Sequence, residues 1–356
     1  MASTGVESTD ISALGEGTVE PSGDVGAPRP RPIPPGQRPL RAGAATRFVD
    51  PGPLVAVAAA VGLYVWLAVI EPDAASYMGL SLVLSGAVPL VFAALGQMIV
   101  IGLGDIDLGN GYAVGLVNVL VAVTLERNGI VGCLLLVAFV VAYGIVGVLV
   151  AWRGLPAIIV TLGASFLWLG IGLQIAPTPA GTAPHWLAVV YAWNPPGVPL
   201  PVLISLVALL VGGWLASYSR AGLALMAAGS NRSAVENFGR RITRIRVIAY
   251  MAAGCCIVLA GLAVTGLTNS GGATASSSYT LLGVAAVILG GGEFRGGKAP
   301  VVGVVFGAIA ISLVSSVLAL VNVSSNLQDA AEGLVLVIAI LSRRLVEGRS
   351  RGGALL

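Results

Sequence analysis

Asp105 and Asp107, in GDIDLGNG (104–111), are the residues whose type and setting most invite chemistry, because they are the only carboxylates between Ala74 and Leu125 and sit between two long apolar runs. An ionised side chain at the centre of a bilayer costs roughly 3 kcal/mol or more, so it faces a cavity, finds a counter-charge or caps a helix. The surrounding glycines permit a break in a helix, and either acid can cap the helix that begins at Gly111. Lining a solute pathway is the other role open to them; a cap and a broken helix account for both acids without a substrate. GGGEFRGG (290–297) has the glycine density of a phosphate cradle, but it lacks the GK[ST] ending and no strand precedes it. His185 is the only histidine, which excludes a histidine metal site or a catalytic triad within the chain. Cys133, Cys255 and Cys256 lie in apolar runs without a CxxC pair and read as small packing residues. No Walker, HExxH or GxSxG motif is present, so the chain is not expected to be an enzyme and is expected to hold no metal or cofactor of its own.

The other chemically distinctive stretch is SRAGLALMAAGSNRSAVENFGRRITRIR, in which Arg220, Arg232, Arg240, Arg241, Arg244 and Arg246 interrupt the apolar chain. Leu223, Leu225, Met226, Val235 and Phe238 are spaced loosely as one stripe of a helix, with Asn231, Arg232 and Glu236 facing elsewhere. Two spans that keep such a segment between them offer a helix to a cytoplasmic partner; arginines that merely fix topology are the plainer reading.

The elements that hold these residues are membrane helices. Charged residues make up 10% of the chain and hydrophobic ones 56%, with a mean hydropathy of +0.94. Soluble chains carry about a quarter charged residues, so the fold class is an all-α polytopic membrane protein. The 49 glycines suit close helix approach in lipid. Residues 1–50, rich in Ser, Gly and Pro and ending in an arginine- and proline-rich run, are expected to be a disordered cytoplasmic tail. Residues 51–345 form the transmembrane domain, with the polar segment 220–246 on its cytoplasmic side, and 346–356 is a second cytoplasmic tail.

A span takes about 20 apolar residues. Ten segments approach that length: 53–70, 80–103, 111–125, 129–151, 157–175, 198–218, 247–267, 279–292, 300–321 and 329–342, two of them short enough to be re-entrant or broken. Threaded from a cytoplasmic N-terminus, this scheme places eighteen of the nineteen Lys and Arg inside and only Arg127 outside. Loops 71–76, 176–186 and 269–278 then face outwards without any Lys or Arg, as the positive-inside rule requires, and both termini are cytoplasmic. The stretches VIGLGDIDLGNGYAVG (100–115) and ILGGGEFRGGKAPVVG (288–303) align at an offset of 188, Asp105 on Glu293, which points to an internal repeat in parallel orientation.

Four stretches in order carry a resemblance to the permease subunits of ribose-type ABC importers, in the group that includes the branched-chain amino-acid permeases. GDIDLGNG (104–111) is similar to GGIDLSVG, and IIVTLGASFLWLG (158–170) to FIxTLGxxxxxRG. AGSNRSAVENFG (228–239) is similar to GGNxxAAxxSG, and YTLLGVAAVILGGGEFRGG (279–297) to YELxAIAAVVLGGTSLxGG. The resemblance covers about 80–342. It implies a multi-pass permease of the plasma (inner) membrane that pairs with a second permease copy. A separate cytoplasmic ATPase would hold ATP and Mg, and an extracytoplasmic binding protein would deliver a small polar solute, most simply a monosaccharide. The segment 222–241 is then a coupling helix that fits a groove on the ATPase. Gly229, Asn231, Arg232 and Gly239 match its motif, small Gly229 permits close approach, and Arg232 and Glu236 make polar contacts at the rim.

The chain departs from the family pattern beside the expected pathway. Thr280 stands for an acid, Leu169 for an arginine and Asp105 for the second glycine of GGIDLS, which bears on which solute passes. Gln97, Asp105, Asp107, Asn118, Thr161, Gln174 and Thr280 are the polar side chains available to it, each equally able to make an interhelical hydrogen bond of about 1 kcal/mol. The rival expectation is a stand-alone secondary transporter, with Asp105, Asp107 and Glu332 available for ion coupling.

Overall fold

The computed structural model describes residues 51–320 apart from 153 and 299, together with 327, 330, 333 and 334. The expected tails at 1–50 and 346–356, and almost all of the expected tenth segment at 329–342, lie outside the described residues. Thirteen α-helices follow: α1 Pro51–Ile70, α2 Tyr77–Ser85, α3 Ala87–Gly102, α4 Asn110–Val119, α5 Gly129–Ala151, α6 Ala157–Ile175, α7 His185–Ala192, α8 Leu200–Tyr218, α9 Arg220–Ser230, α10 Arg232–Asn237, α11 Ile242–Thr268, α12 Tyr279–Leu289 and α13 Val301–Leu320. Among the described residues six of them (α1, α5, α6, α8, α11 and α13) are long and apolar enough to cross a membrane, and the pair α2–α3, bent by 41°, makes a seventh if it is one span.

Local chemistry marks the helix ends. Ser76 caps α2 by accepting from Gly79 N at 3.0 Å, and Asn128 caps α5 by accepting from the amides of Ile130 and Val131. Pro156, Pro184 and Pro199 sit at the N-caps of α6, α7 and α8, where no helical N–H is lost. Asn269 ends α11 in the left-handed region at φ 51°, one of the few side chains that tolerates it.

Long α11 packs on α5, α3 and α4; α12 and α13 pack on α3 and on each other, and α1 lies along α13. One apolar cluster joins α3, α4, α5, α6 and α11 around Tyr143, Tyr250 and Ile257. A second joins α3, α8, α12 and α13 around Ile101, Ala286 and Ile311.

Two further apolar helices are short. α12 has 11 residues, about 16 Å, and α4 runs on through a π-helical turn (Leu120–Leu125) for 16 in all, about 24 Å. Both fall short of a hydrocarbon core of about 30 Å. Non-helical chain completes each, residues 103–109 before α4 and 269–278 before α12. The second of these corrects the sequence reading, which gives 269–278 as an outside loop. Ala273 and Ser276 are buried, and the chain bridges Ala180 at Gly271 through two 2.9 Å hydrogen bonds before descending along α4. A Cβ on Gly172 would come within 2.9 Å of Ala273 Cβ, and one on Gly111 within 2.6 Å of the carbonyl oxygens of Ser276 and Ser277. Serine, glycine and alanine compose solvent loops, but they are also the residues that let backbones meet inside a membrane protein.

Candidate functional site

The arginine-rich segment is two short helices rather than the one expected over 222–241. Ser219 caps α9 by accepting from Gly222 N at 2.9 Å. The helix stops at Asn231, whose side chain accepts from Ala234 N at 3.0 Å and so starts α10 instead of continuing α9. Gly239, at φ 73°, turns the chain into α11. The inward stripe is Leu225, Ala228, Val235 and Ile242, packed with Leu103 and Ile245. Of the residues expected on that stripe, Leu225 and Val235 are on it, whereas Leu223 is 55% and Phe238 87% exposed. Asn231, Arg232, Glu236 and Gly239 all face outwards with Arg240, Arg241 and Arg244. Arg232 and Glu236 approach to 3.5 Å with both side chains about half exposed, a pair worth at most a few tenths of a kcal/mol. Their value is as presented charge.

Gly229 faces the other way. A Cβ there would overlap the Gly102 carbonyl oxygen and lie 2.5 Å from Gly297 N. Gly297 N donates to that same oxygen at 2.9 Å, so the two echoing glycine-rich stretches touch at the backbone directly above α9. A Cβ on Gly296, where φ is 78°, would lie 2.7 Å from Gly104 N and 3.1 Å from Gly229 Cα. Three segments far apart in sequence therefore meet largely backbone to backbone, with Leu225 and Ser230 the side chains at the contact. The amides of GGGEFRGG are engaged within the fold: Gly291, Gly292 and Gly296 bond to Ile288, Val287 and Glu293 carbonyls.

Asp105 and Asp107 have separate surroundings. Arg246, four residues into α11, donates from Nη2 to Asp105 Oδ1 at 3.0 Å, and its Nε stands 2.9 Å from Oδ2 as an ion-pair approach without a hydrogen bond. Both side chains are about nine-tenths buried. Glu293, the residue that echoes Asp105, instead pairs with nearby Lys298 at 2.5 Å. A cavity of about 270 Å³ lies beside the Asp105 pair, bordered by Gly104, Leu155, Ala157, Arg232 and Arg246.

Asp107 is deeper and buried. Its Oδ1 accepts from Gly109 N at 2.7 Å and its Oδ2 from the Tyr143 hydroxyl at 2.5 Å. Gln97, with its amide turned to suit its neighbours, donates to the Asp107 carbonyl at 3.2 Å and accepts from Asp107 N at 3.3 Å. Thr161 accepts from Leu108 N at 3.0 Å, and Thr280 accepts from Gly111 N at 2.9 Å. Asn118 shares a 2.8 Å hydrogen bond with Thr265 and, suitably turned, bonds to Ser270 and Gly272. Each of these side chains closes a backbone gap left by a broken helix, as apolar surroundings demand. Gln174 stands apart, exposed near the end of α6.

Sequence reasoning treats Arg246 as one more topological arginine and assigns nothing to Tyr143, Trp168 and Tyr250. The Tyr143 and Trp168 rings stack with centroids 5.9 Å apart, and Tyr143 lies 6.5 Å from Tyr250. No spacing in the sequence signals contacts that span such distances along the chain; the unpaired look of Asp105 and Asp107 is the only hint.

A family model described as "branched-chain amino acid transport system / permease component" matches residues 79–340. The ribose import permease of Escherichia coli (strain K12) is 32% identical over 256 residues, covering 70% of this chain and 80% of its own. The autoinducer 2 import system permease of Salmonella typhi is 30% identical over 296 residues, 79% and 82% of the two chains. No solved structure matches.

Proposed function

The chain belongs to the branched-chain amino acid transport permease family, and from that premise we propose that it is the membrane-spanning subunit of an ATP-binding-cassette importer for a small polar solute, a monosaccharide or a related compound. In this reading it is a multi-pass protein of the inner membrane with both termini in the cytoplasm. A second permease copy completes the channel. A separate cytoplasmic ATPase binds ATP and Mg and hydrolyses the nucleotide, and an extracytoplasmic binding protein delivers the solute. The sugar class follows the ribose and autoinducer 2 permeases named above.

The observation that carries the reading is the two-sided build of 220–246. Its outer side presents Phe238, Arg232, Glu236 and three further arginines to the cytoplasm, with Asn231 and Gly239 shaping the turns. Its inner side rests through Gly229 on both glycine-rich stretches. A partner that pushes the outer side displaces the end of α3 and the glycine-rich loop between α12 and α13 directly. From there the non-helical chain leads to Asp107, Asn118, Thr161 and Thr280, which hold the broken helices together. Solute passage then follows from shifting those half-helices, with Gln97 and Asp105 moving as part of the same supports.

The test is reconstitution in liposomes. An importer takes up radiolabelled D-ribose only with the co-purified ATPase, the binding protein and ATP. Uptake driven by an ion gradient alone, with no partner present, overturns the reading in favour of secondary transport.

A further inference from the structure

The geometry points to Asp105 and Arg246 as positioning residues of the transport cycle, a strut that makes the first glycine-rich stretch and α11 move as one body when the coupling segment is pushed. The inference rests on the importer reading above.

Arg246 lies at the root of α11, the helix by which the chain leaves the coupling segment, and α11 runs 27 residues, about 40 Å, to Thr268 at the opposite end of the bundle. Asp105 lies 141 residues away in sequence, in the non-helical chain that leads from α3 to Asp107 and the start of α4. The guanidinium reaches both carboxylate oxygens, one through a hydrogen bond and the other as a close ion-pair approach, so the pair ties the two segments at a fixed distance.

Stability is a weak reason for the pair. A buried ion pair is often no better than apolar side chains of the same volume, although losing one partner is costly. Its neighbours show what it adds. Gly102, Gly104, Gly229, Gly296 and Gly297 meet largely through backbone, with only Leu225 Cδ2 against Gly102 and Ser230 Oγ against Gly297, a contact that transmits compression but has few side chains to resist sliding. The Asp105–Arg246 pair stands next to this smooth joint and supplies the fixed point. The adjoining cavity of about 270 Å³ reaches Arg232 on α10 and leaves room on one side for the strut to swing.

The strut explains how a displacement at the cytoplasmic face is split. Motion of α11 carries the far end of the bundle, where Asn269 accepts from Ala183 N at 2.9 Å and Thr265 bonds Asn118. Motion of the 103–109 chain carries the start of α4. With the pair intact the two move in step; with it cut, the coupling segment moves and the core lags.

The experiment uses the full chain with its co-purified ATPase and binding protein in liposomes, and reads D-ribose moved per ATP hydrolysed. Asp105→Asn should hydrolyse ATP within about twofold of the wild type while the ratio falls by about tenfold. Arg246→Lys, which keeps the charge and replaces the guanidinium, should fall less. The exchanged pair Asp105→Arg with Arg246→Asp should recover much of the ratio. An unchanged ratio in Asp105→Asn overturns the proposal, and so does an exchanged pair no better than the single variants, since a merely structural pair lowers the amount of complex and not the ratio. Should Asp105→Asn fail to assemble, Arg246→Lys decides by the same ratio. A wild-type complex that moves no ribose with ATP removes the importer reading, and the strut with it.

Discussion

Gly229→Ala is the sharpest perturbation of the joint between α9 and the two glycine-rich stretches. The added methyl would overlap the Gly102 carbonyl oxygen and sit 2.5 Å from Gly297 N, both nearer than the 3.0 Å that real Cβ atoms keep. Neither neighbour is a side-chain tip that can rotate away, so α9 must withdraw by about 1 Å to clear the Gly102 oxygen. Overpacking of this kind costs about 1–3 kcal/mol. The 2.9 Å bond from Gly297 N to Gly102 O is strained at the same time, and a buried amide bond contributes about 1 kcal/mol. Alanine returns about 1 kcal/mol through its helix propensity. The net is a loss of about 2 kcal/mol, more if the amide is left unpaired. Gly213→Ala in α8 is the control: nothing lies within 4 Å of its Cβ position, so only the propensity gain remains. Reversible unfolding of the purified chain in mixed micelles measures both, and about 3 kcal/mol should separate the variants. A difference below about 0.5 kcal/mol would refute the packing argument.

Three other outcomes follow from the same geometry. Phe238→Ala removes an 87% exposed ring, so the chain's own stability should not change, whereas ATPase capture in a pull-down should weaken by about 2 kcal/mol, or about thirtyfold, if the ring anchors that partner; equal capture denies it that role. Tyr143→Phe deletes the hydroxyl that donates to buried Asp107 and should lower unfolding stability by about 1.5–3 kcal/mol, against under about 0.5 kcal/mol for Tyr218→Phe, whose ring is 76% exposed. In a variant without native cysteines, Thr178→Cys should react with an impermeant thiol reagent on intact cells and Ser233→Cys only after permeabilisation; labelling at 233 from outside would invert the bundle.

The continuous spans were the legible part of the sequence. Runs at 129–151 and 157–175 coincide with α5 and α6, and the run at 247–267 lies inside α11, because an uninterrupted apolar stretch leaves the backbone no other way to satisfy its hydrogen bonds. α11 begins five residues early because the arginines of its first turns lower the hydropathy there, so that hydropathy no longer reports helix. The break read from GDIDLGNG is present, but neither acid caps α4: Asp107 bonds Gly109 N just ahead of the helix, and Asp105 turns to Arg246, a partner too remote to leave a local signal. The apolar spacing of 220–246 suggested one helix, and Asn231 divides it because its side chain bonds more favourably as a cap than as a mid-helix residue.

Glycine and serine obey two rules in this fold, and a sequence run does not say which of them applies. In water a run such as NSGGATASSS has no apolar surface to bury and stays outside. Within a membrane bundle the same lack of side chains is an asset, because the backbone can approach another backbone and exchange hydrogen bonds that lipid cannot offer. Residues 269–278 take the second course against Gly111, Gly115 and Gly172, as do Gly229, Gly296 and Gly297 beside the arginine-rich segment. Bulk would hold these contacts rigid; its absence allows the helices to be repositioned. The places where composition says loop are therefore the places where this bundle is thinnest between its moving parts, and Asp105 with Arg246 is the pair positioned to keep that motion in register.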